Sequence, residues 1–232
     1  MTDTRPSSPE DETAPVEREV GVGPWVGPWP QGPDGELPAH LDPELLREGD
    51  RRNVVDAYRY WRHEAIVADL DTRRTGLHVA VENWGHDFNI GSVIRTANAF
   101  NVAAFHVVGR RRWNRRGAMV TDRYQHELHH PDAAALAEWA AAAPRRDGGT
   151  GLPLIGIDNV PGSVGIEGFG LPAECVMVFG QEGPGLTPEV QERCEVVLHI
   201  EQLGSTRSIN AGAAAAVAMH AWVRQHVHGL SG

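Results

Sequence analysis

The apolar positions of this chain fall into short uninterrupted runs separated by stretches with helical spacing. Residues 77–81 (LHVAV), 103–108, 154–157, 175–179 (CVMVF) and 195–200 are the runs, and they predict strands buried on both faces of a sheet. Between them, helices are predicted from about Ile90, over residues 131–143, briefly in TPEVQERC after Thr187, and from about Ser208 to the C-terminus. Strand–helix–strand order calls for a parallel sheet with right-handed crossovers, so the fold class is α/β. Upstream, residues 51–70 place Val54, Val55, Tyr58, Trp61, Ile66 and Leu70 roughly on one side and Arg51, Arg52, Arg59 and Arg62 on the other. That spacing predicts an amphipathic helix. Residues 1–48 show no period and are rich in Pro, Gly, Asp and Glu, which predicts a disordered tail. The expected organisation is a tail over 1–48, a helical extension over 49–76 and a catalytic-type α/β domain over 77–232.

Charge changes this picture in one respect. The formal net charge of −10 argues at first against a nucleic-acid partner. Residues 1–50, however, hold twelve acidic side chains against three arginines, a formal −9, which leaves −1 for the remaining 182 residues. All 21 basic residues are arginine, a side chain suited to planar and phosphate recognition. No run is long and apolar enough to span a bilayer, and the N-terminus lacks an apolar signal segment. Cys175 and Cys194 lack metal or redox spacing. A soluble cytoplasmic protein is therefore expected.

Three stretches carry candidate chemistry. In NIGSVIRTANAF, Asn89 can cap a helix, Gly91 permits close packing, and Arg95, among Ile94, Ala97 and Phe100, is expected away from plain solvent. In GQEGPGL, Gly180, Gly183, Pro184 and Gly185 make a rigid loop whose backbone can approach a ligand. It lacks the spacing of a phosphate loop, and Glu182 suits a hydroxyl, an amine or an arginine. In IEQLGSTRSINAGAAAA, Ser208 and Asn210 open a helix crowded with small residues, which admits another backbone or a flat ligand. A tightly packed core helix explains the same residues. Beyond the second strand lie Arg110, Arg111, Arg112, Arg115, Arg116 and Arg123, with Trp113 and Tyr124 interleaved. Guanidinium groups bind phosphates and aromatics stack on unpaired bases, so this loop is a candidate RNA contact. His126, His129 and His130 have no cysteine or carboxylate pair to complete a site, and no metal is expected. Trp25 and Trp29, in a repeated GPW, are either a docking element or incidental to a linker.

The ordered set of Asn89–Arg95, FGQEGPGL and IEQLGSTRSINAGAAAA resembles the three motifs of the SpoU/TrmH family of RNA ribose methyltransferases, which are SPOUT enzymes. The resemblance covers roughly residues 77–227. It implies a parallel sheet with a deep C-terminal trefoil knot, a homodimer, S-adenosyl-L-methionine as methyl donor and a ribose 2′-hydroxyl in RNA as acceptor. By position, Asn89, Arg95, Glu182, Ser208 and Asn210 fall on the family's functional residues. Gly180, Gly185, Ile200, Ile209 and Asn210 fall where the family holds its cofactor. Glu201 and Gln202 replace the usual Pro-Met, Ile209 replaces Leu, and Ala211-Gly212 replaces Val-Ser. The resemblance makes Arg95 the activator of the hydroxyl. A neutral arginine at pH 7 costs roughly 9 kcal/mol, because its ordinary pKa lies far above neutral. Arg95 is thus read either as a base or as a charged stabiliser. The short extension slightly favours tRNA over rRNA. A catalytically silent RNA-binding relative is the alternative, against which the intact Asn89, Arg95, Glu182 and Asn210 speak.

Overall fold

The computed structural model describes residues 21–83, 89–181 and 183–230. The chain divides into two compact units, one ending at Trp61 and one running from Arg62 to Gly232. The expectation of a structureless segment up to residue 48 does not hold for residues 21–48. They bridge to later residues (Val22 to Asp50, Leu41 to Trp61) and include helix α1, Pro43–Glu48. Asp42 caps α1 by accepting from the Glu44 and Leu45 amides. The rest of that expectation falls on residues outside the described ones.

Asp50 organises this first unit. Its buried carboxylate accepts from the Arg52 amide, the Arg52 Nε and Nη2, and the Tyr60 amide, at 2.6–3.0 Å. Burial pushes its pKa up, but the Arg52 hydrogen bonds and charge outweigh this and hold it below the usual carboxylate value. The same bonds explain why no helix runs through residues 51–61. A side chain that collects nearby amides offers the backbone an alternative to helix, and Tyr60 is left-handed at φ 63°. Only a 3-10 turn, Asp56–Tyr58, forms there.

The second unit opens with α2, His63–Asp71. There follow β1 (Leu77–Asn83), α3 (Ile90–Ala99), β2 (Ala104–Gly109), β3 (Glu127–His130), α4 (Ala133–Ala142), β4 (Leu154–Ile157), β5 (Val164–Gly165), β6 (Cys175–Phe179), α5 (Pro188–Gln191), β7 (Val196–His199) and α6 (Ala211–His226). The strands form one sheet in the order β3-β2-β1-β6-β4-β7-β5. Every pairing is parallel, with His78 opposite both Ala104 and Val176 at its centre. Alternate residues feed two cores. Val79, Val81, Phe105, Met177 and Leu198 pack with α3 and α6, whereas Ala80, Val108, Val176 and Val178 pack with α4 and α5. α6 is fastened at its far end, where Trp222 donates to the Pro172 carbonyl and Gln225 bridges the Leu171 amide and the Phe169 carbonyl. Among the described residues, no helix is long and apolar enough to cross a membrane.

Candidate active site

The C-terminal ends of β4, β6 and β7 open onto a cavity of about 360 Å³, within the usual range for small-molecule sites. Its apolar wall is Ile157, Phe179, Ile200, Ile209 and Ala214, and its polar groups come from Asp158, Asn159, His199, Gln202, Ser208 and Asn210. On one side stands the glycine loop. The Gln181 amide donates to the Gly185 carbonyl and the Gly185 amide to the Gln181 carbonyl, closing a tight reversal. A side chain at Gly180 would overlap the Gly185 backbone. Gly185 is left-handed at φ 73°, and a Cβ there would overlap the Asp158 carboxylate. Asp158 accepts from the Leu186 amide at 2.7 Å and so anchors the loop's exit. At Gly180 and Gly185 the loop backbone therefore stands bare against the cavity because no side chain fits. Glu182, at its tip, lies outside the described residues.

On the other side is the entry to α6. The helix begins at Ala211 instead of near Ser208, because Asn210 is the residue whose side chain caps it, accepting from the Ala213 amide at 3.1 Å. The Asn210 Nδ2 donates to the Asn89 Oδ1 at 3.1 Å, joining the first and third motifs. Asn89 thus holds the start of α3 through its backbone, while its side chain does not cap that helix. Gly212 is what allows the approach. A Cβ there would sit 3.2 Å from the Ser92 Cβ. Among the small residues of α6, Gly212 admits α3, and Ala211 and Ala214 line the cavity. A smaller depression, with Glu82, Asn89 and Ile90 in its wall, shares Phe179, Gly180, Gln181 and Ala211 with the cavity.

Gly180, Gly185, Ile200, Ile209, Ser208 and Asn210 are thus gathered around one space. Arg95 is not among its lining residues and is exposed on α3. The expectation that it avoids solvent is corrected. α3 buries Ile90, Gly91, Val93, Ile94 and Ala97, and that spacing leaves Ser92 and Arg95 on the outer side. Sequence reading missed two supporting groups. Glu82, 2% exposed at the end of β1, accepts from both the amide and the hydroxyl of Thr187 at 2.8 and 2.7 Å, tying the glycine loop's exit to the sheet's centre. Asp158 follows a strand the sequence does reveal, but only the fold shows that it turns onto Gly185.

The arginine loop is only partly as expected. Arg110, Arg111, Arg112, Arg116 and Arg123 are exposed. Arg115 is engaged, pairing with Asp122 at 2.7 Å and Glu127 at 3.0 Å and lying over the Trp113 ring. Trp113 is 8% exposed and belongs to the core beneath α3, so it offers no face to a base. The three histidines do not converge. His126 meets Asp71, His129 meets the Gly109 carbonyl, and His130 meets His106. Both thiols are pushed up to about 12 by burial and are unreactive.

Residues 76–220 match the sequence model of the SpoU rRNA Methylase family. The chain belongs to the SpoU rRNA methylase family. It is similar to the 23S rRNA (uridine(2479)-2′-O)-methyltransferase of Streptomyces viridochromogenes, with 27% identity over 206 residues, covering 82% of this chain and 68% of that one. An uncharacterized tRNA/rRNA methyltransferase of Mycolicibacterium vanbaalenii is 27% identical over 201 residues, covering 82% and 61%. The chain thus spans about three fifths to two thirds of these relatives' length. In structure it resembles the SpoU methyltransferase AviRb of S. viridochromogenes, with a TM-score of 0.61, 26% identity and coverage of 71% of this chain and 65% of that one. AviRb in complex with AdoMet gives 0.59, 25%, 68% and 61%.

Proposed function

We propose that this SpoU protein transfers a methyl group from AdoMet to a ribose 2′-hydroxyl of RNA. What carries the reading is the junction of Asn89 and Asn210 beside a cavity walled by the bare glycine loop, in a family whose relatives are RNA methyltransferases.

The residues present fit such a donor. The aliphatic wall of Ile157, Ile200 and Ile209 suits a flat heterocycle, and the backbone at Gly180 and Gly185 is free of side chains. The Gln202 Oε1 is buried with no hydrogen-bond partner, an acceptor that a ligand's N–H satisfies. AdoMet supplies an electrophilic methyl on a sulfonium. The protein's part is alignment of that methyl with the acceptor oxygen, for which positioning contributes up to about 7–11 kcal/mol. Gly180, Gly185, Ile200 and Ile209 hold the donor, and Asn210 fixes the wall on which it rests. Asn89, Ser208 and Glu182 orient the acceptor nucleotide. In this reading Arg95 acts as a cation beside the oxygen as it gains negative charge, the form in which arginine is ordinarily found. Arg110, Arg111, Arg112, Arg116 and Arg123 take phosphates. The knotted C-terminal path and the homodimer belong to the same proposal. The exposed stripe of Ala213, Val217 and His220 on α6 is where a second copy would seat. Ribosomal RNA is the first substrate to test, because a relative acts on 23S rRNA, ahead of the tRNA suggested by the short extension.

The test is a methylation assay with labelled AdoMet on deproteinised ribosomal RNA and tRNA, followed by nucleoside analysis. A labelled 2′-O-methylnucleoside is expected. A matched RNA with one 2′-deoxy sugar at the target should accept no label while still binding. Label persisting on the deoxy substrate would mean that the acceptor is a base atom, and the ribose assignment would fall.

A further inference from the structure

The segment between β2 and β3 is tied down at several points. The Asn83 Nδ2 donates to the Arg110 and Arg112 carbonyls at 2.7 and 3.1 Å. Trp113 is sunk into the core. Gly117 lies so close to Gly91 of α3 that a Cβ on Gly91 would sit 2.6 Å from the Gly117 backbone. Arg115 clamps Asp122 and Glu127, and the Thr121 hydroxyl donates to the Ala118 carbonyl at 2.6 Å. Between these ties are Met119 and Val120, left-handed at φ 50° and 68°. Both are apolar and both are 54% exposed.

Two adjacent non-glycine residues in this region are unusual, and for a β-branched valine the conformation is a true outlier. Strain of this kind persists only where the surroundings impose it, and it concentrates at ligand-contacting sites. Here the strain holds two apolar side chains out in water, on a segment that also exposes Arg110, Arg111, Arg112, Arg116 and Arg123. The loop crosses α3 at Gly91, one helical turn before Arg95, so the two share an edge of that helix.

Resting on the RNA reading above, we propose that Met119 and Val120 form an apolar step against which an unstacked base of the substrate lies. The chemical class of substrate is then a run of unpaired nucleotides, held by its phosphates on the surrounding arginines. Apolar side chains of this kind gain from a base face, and a continuous duplex offers them none without unstacking. The exposed arginines of the same segment favour a polyanion over an apolar protein partner.

The test uses the double variant Met119→Asn, Val120→Asn. Asparagine tolerates the left-handed region, so the loop keeps its path while the apolar surface is removed. The probes are a hairpin RNA with one 2-aminopurine in its loop and a blunt RNA duplex of equal length. The native protein is expected to bind the hairpin about tenfold more tightly, in line with partial burial of one apolar side chain, and to alter the 2-aminopurine emission. The double variant should lose that preference and the emission change. Its duplex affinity, the salt dependence set by the intact arginines, and the melting temperature should stay as they were or, for melting, rise. Equal binding of both RNAs by the native protein overturns the proposal, as does a variant that keeps the preference. A variant that falls from dimer to monomer assigns the step to a second copy of the chain and also overturns it. None of these outcomes touches the methyl-donor reading, which stands or falls on AdoMet titration of the native protein.

Discussion

The two faces of the sheet carry hydrogen-bonded polar clusters of opposite character. On the α3/α6 face, Asn89 and Asn210 meet in the open beside the cavity. On the α4 face, three histidines from neighbouring strands form a closed chain. The His78 Nδ1 lies 3.1 Å from the His106 Nε2, and the His106 Nδ1 lies 2.9 Å from the His130 Nε2. Burial and the neighbouring His129 lower the His130 pKa, against a backbone hydrogen bond at Ala135. Neutral rings that share one tautomer satisfy each of the two contacts with a single proton. Trp139 packs against all three. The contrast teaches that polarity inside this domain has two uses. Where every donor is matched and covered, it knits strands together. Where groups face a cavity, it is left for a ligand.

The sharpest way to break this division is Arg95→Ala. It should lower kcat about 10²–10³-fold, the usual cost of removing one transition-state donor, while AdoMet affinity and melting temperature stay unchanged. Arg95→Lys should recover little, since an ammonium does not reproduce the planar fork. A fully active alanine variant would remove Arg95 from the chemistry and leave the fold assignment intact.

The histidine face should answer to pH. Burial, aided by the Arg146 charge, lowers the His78 pKa to about 4. Burial with the neighbouring rings lowers His106 well below its usual value, and burial with His129 lowers His130. The folded state therefore binds these protons less readily than the unfolded chain. Stability is complete above pH 6.5 and falls as pH drops from about 6.5 to about 4, by on the order of 3 kcal/mol for His78 alone. Denaturant titrations at pH 7, 5.5 and 4.5 check this. His106→Leu should lower stability and flatten the pH dependence without changing kcat at pH 7.5. A loss of turnover at unchanged stability would contradict the division of the two faces.

Gly180→Ala tests the glycine loop. Forcing a methyl into the Gly185 backbone should cost about 1–3 kcal/mol and weaken AdoMet binding roughly tenfold or more, as read by calorimetry. The smallest effects concern the arginine loop. Arg111→Ala should flatten the salt dependence of RNA binding by about 0.7–0.9 log units. Arg115→Ala should leave the slope nearly unchanged, because that guanidinium is engaged by Asp122 and Glu127. A slope unchanged from the native protein in both variants would return the loop to ordinary surface.

Residues whose neighbours in sequence settle their structure were legible from the start. The runs 154–157 and 175–179 are strands with those same limits, since a strand buried on both faces has no polar alternation to blur it. β3 was not legible. Its ELHH has no apolar signal, and it becomes a strand by pairing with β2 at the sheet's edge. The 51–70 periodicity misled over 51–61, where the Asp50 hub, built from Arg52 and Tyr60, overrides local helix preference, and held over 63–70, which lie in α2. The glycine loop could be read from residue type, whereas the start of α6, expected near Ser208, falls at Ala211 because Asn210 is its cap. Trp113 and Arg115 could not, because nothing nearby in sequence says that Glu127 waits across the loop and the core of α3 beneath it.

The strand order has a consequence for synthesis of the chain. β1 lies between β2 and β6, and β6 ends 96 residues after β1, at Phe179 against Asn83. At about 5–20 residues per second, a ribosome needs roughly 5–20 s to deliver the missing neighbour. Through that interval the nascent β1-β2-β3 half has a bare, apolar strand edge, the kind that recruits other chains. The pairing that covers this edge is also the one that brings Phe179 and the glycine loop to the cavity. A chain stalled before residue 180 would thus be both sticky and without a site, and the later residues 199–214 then close the cavity on a sheet whose edge is already covered.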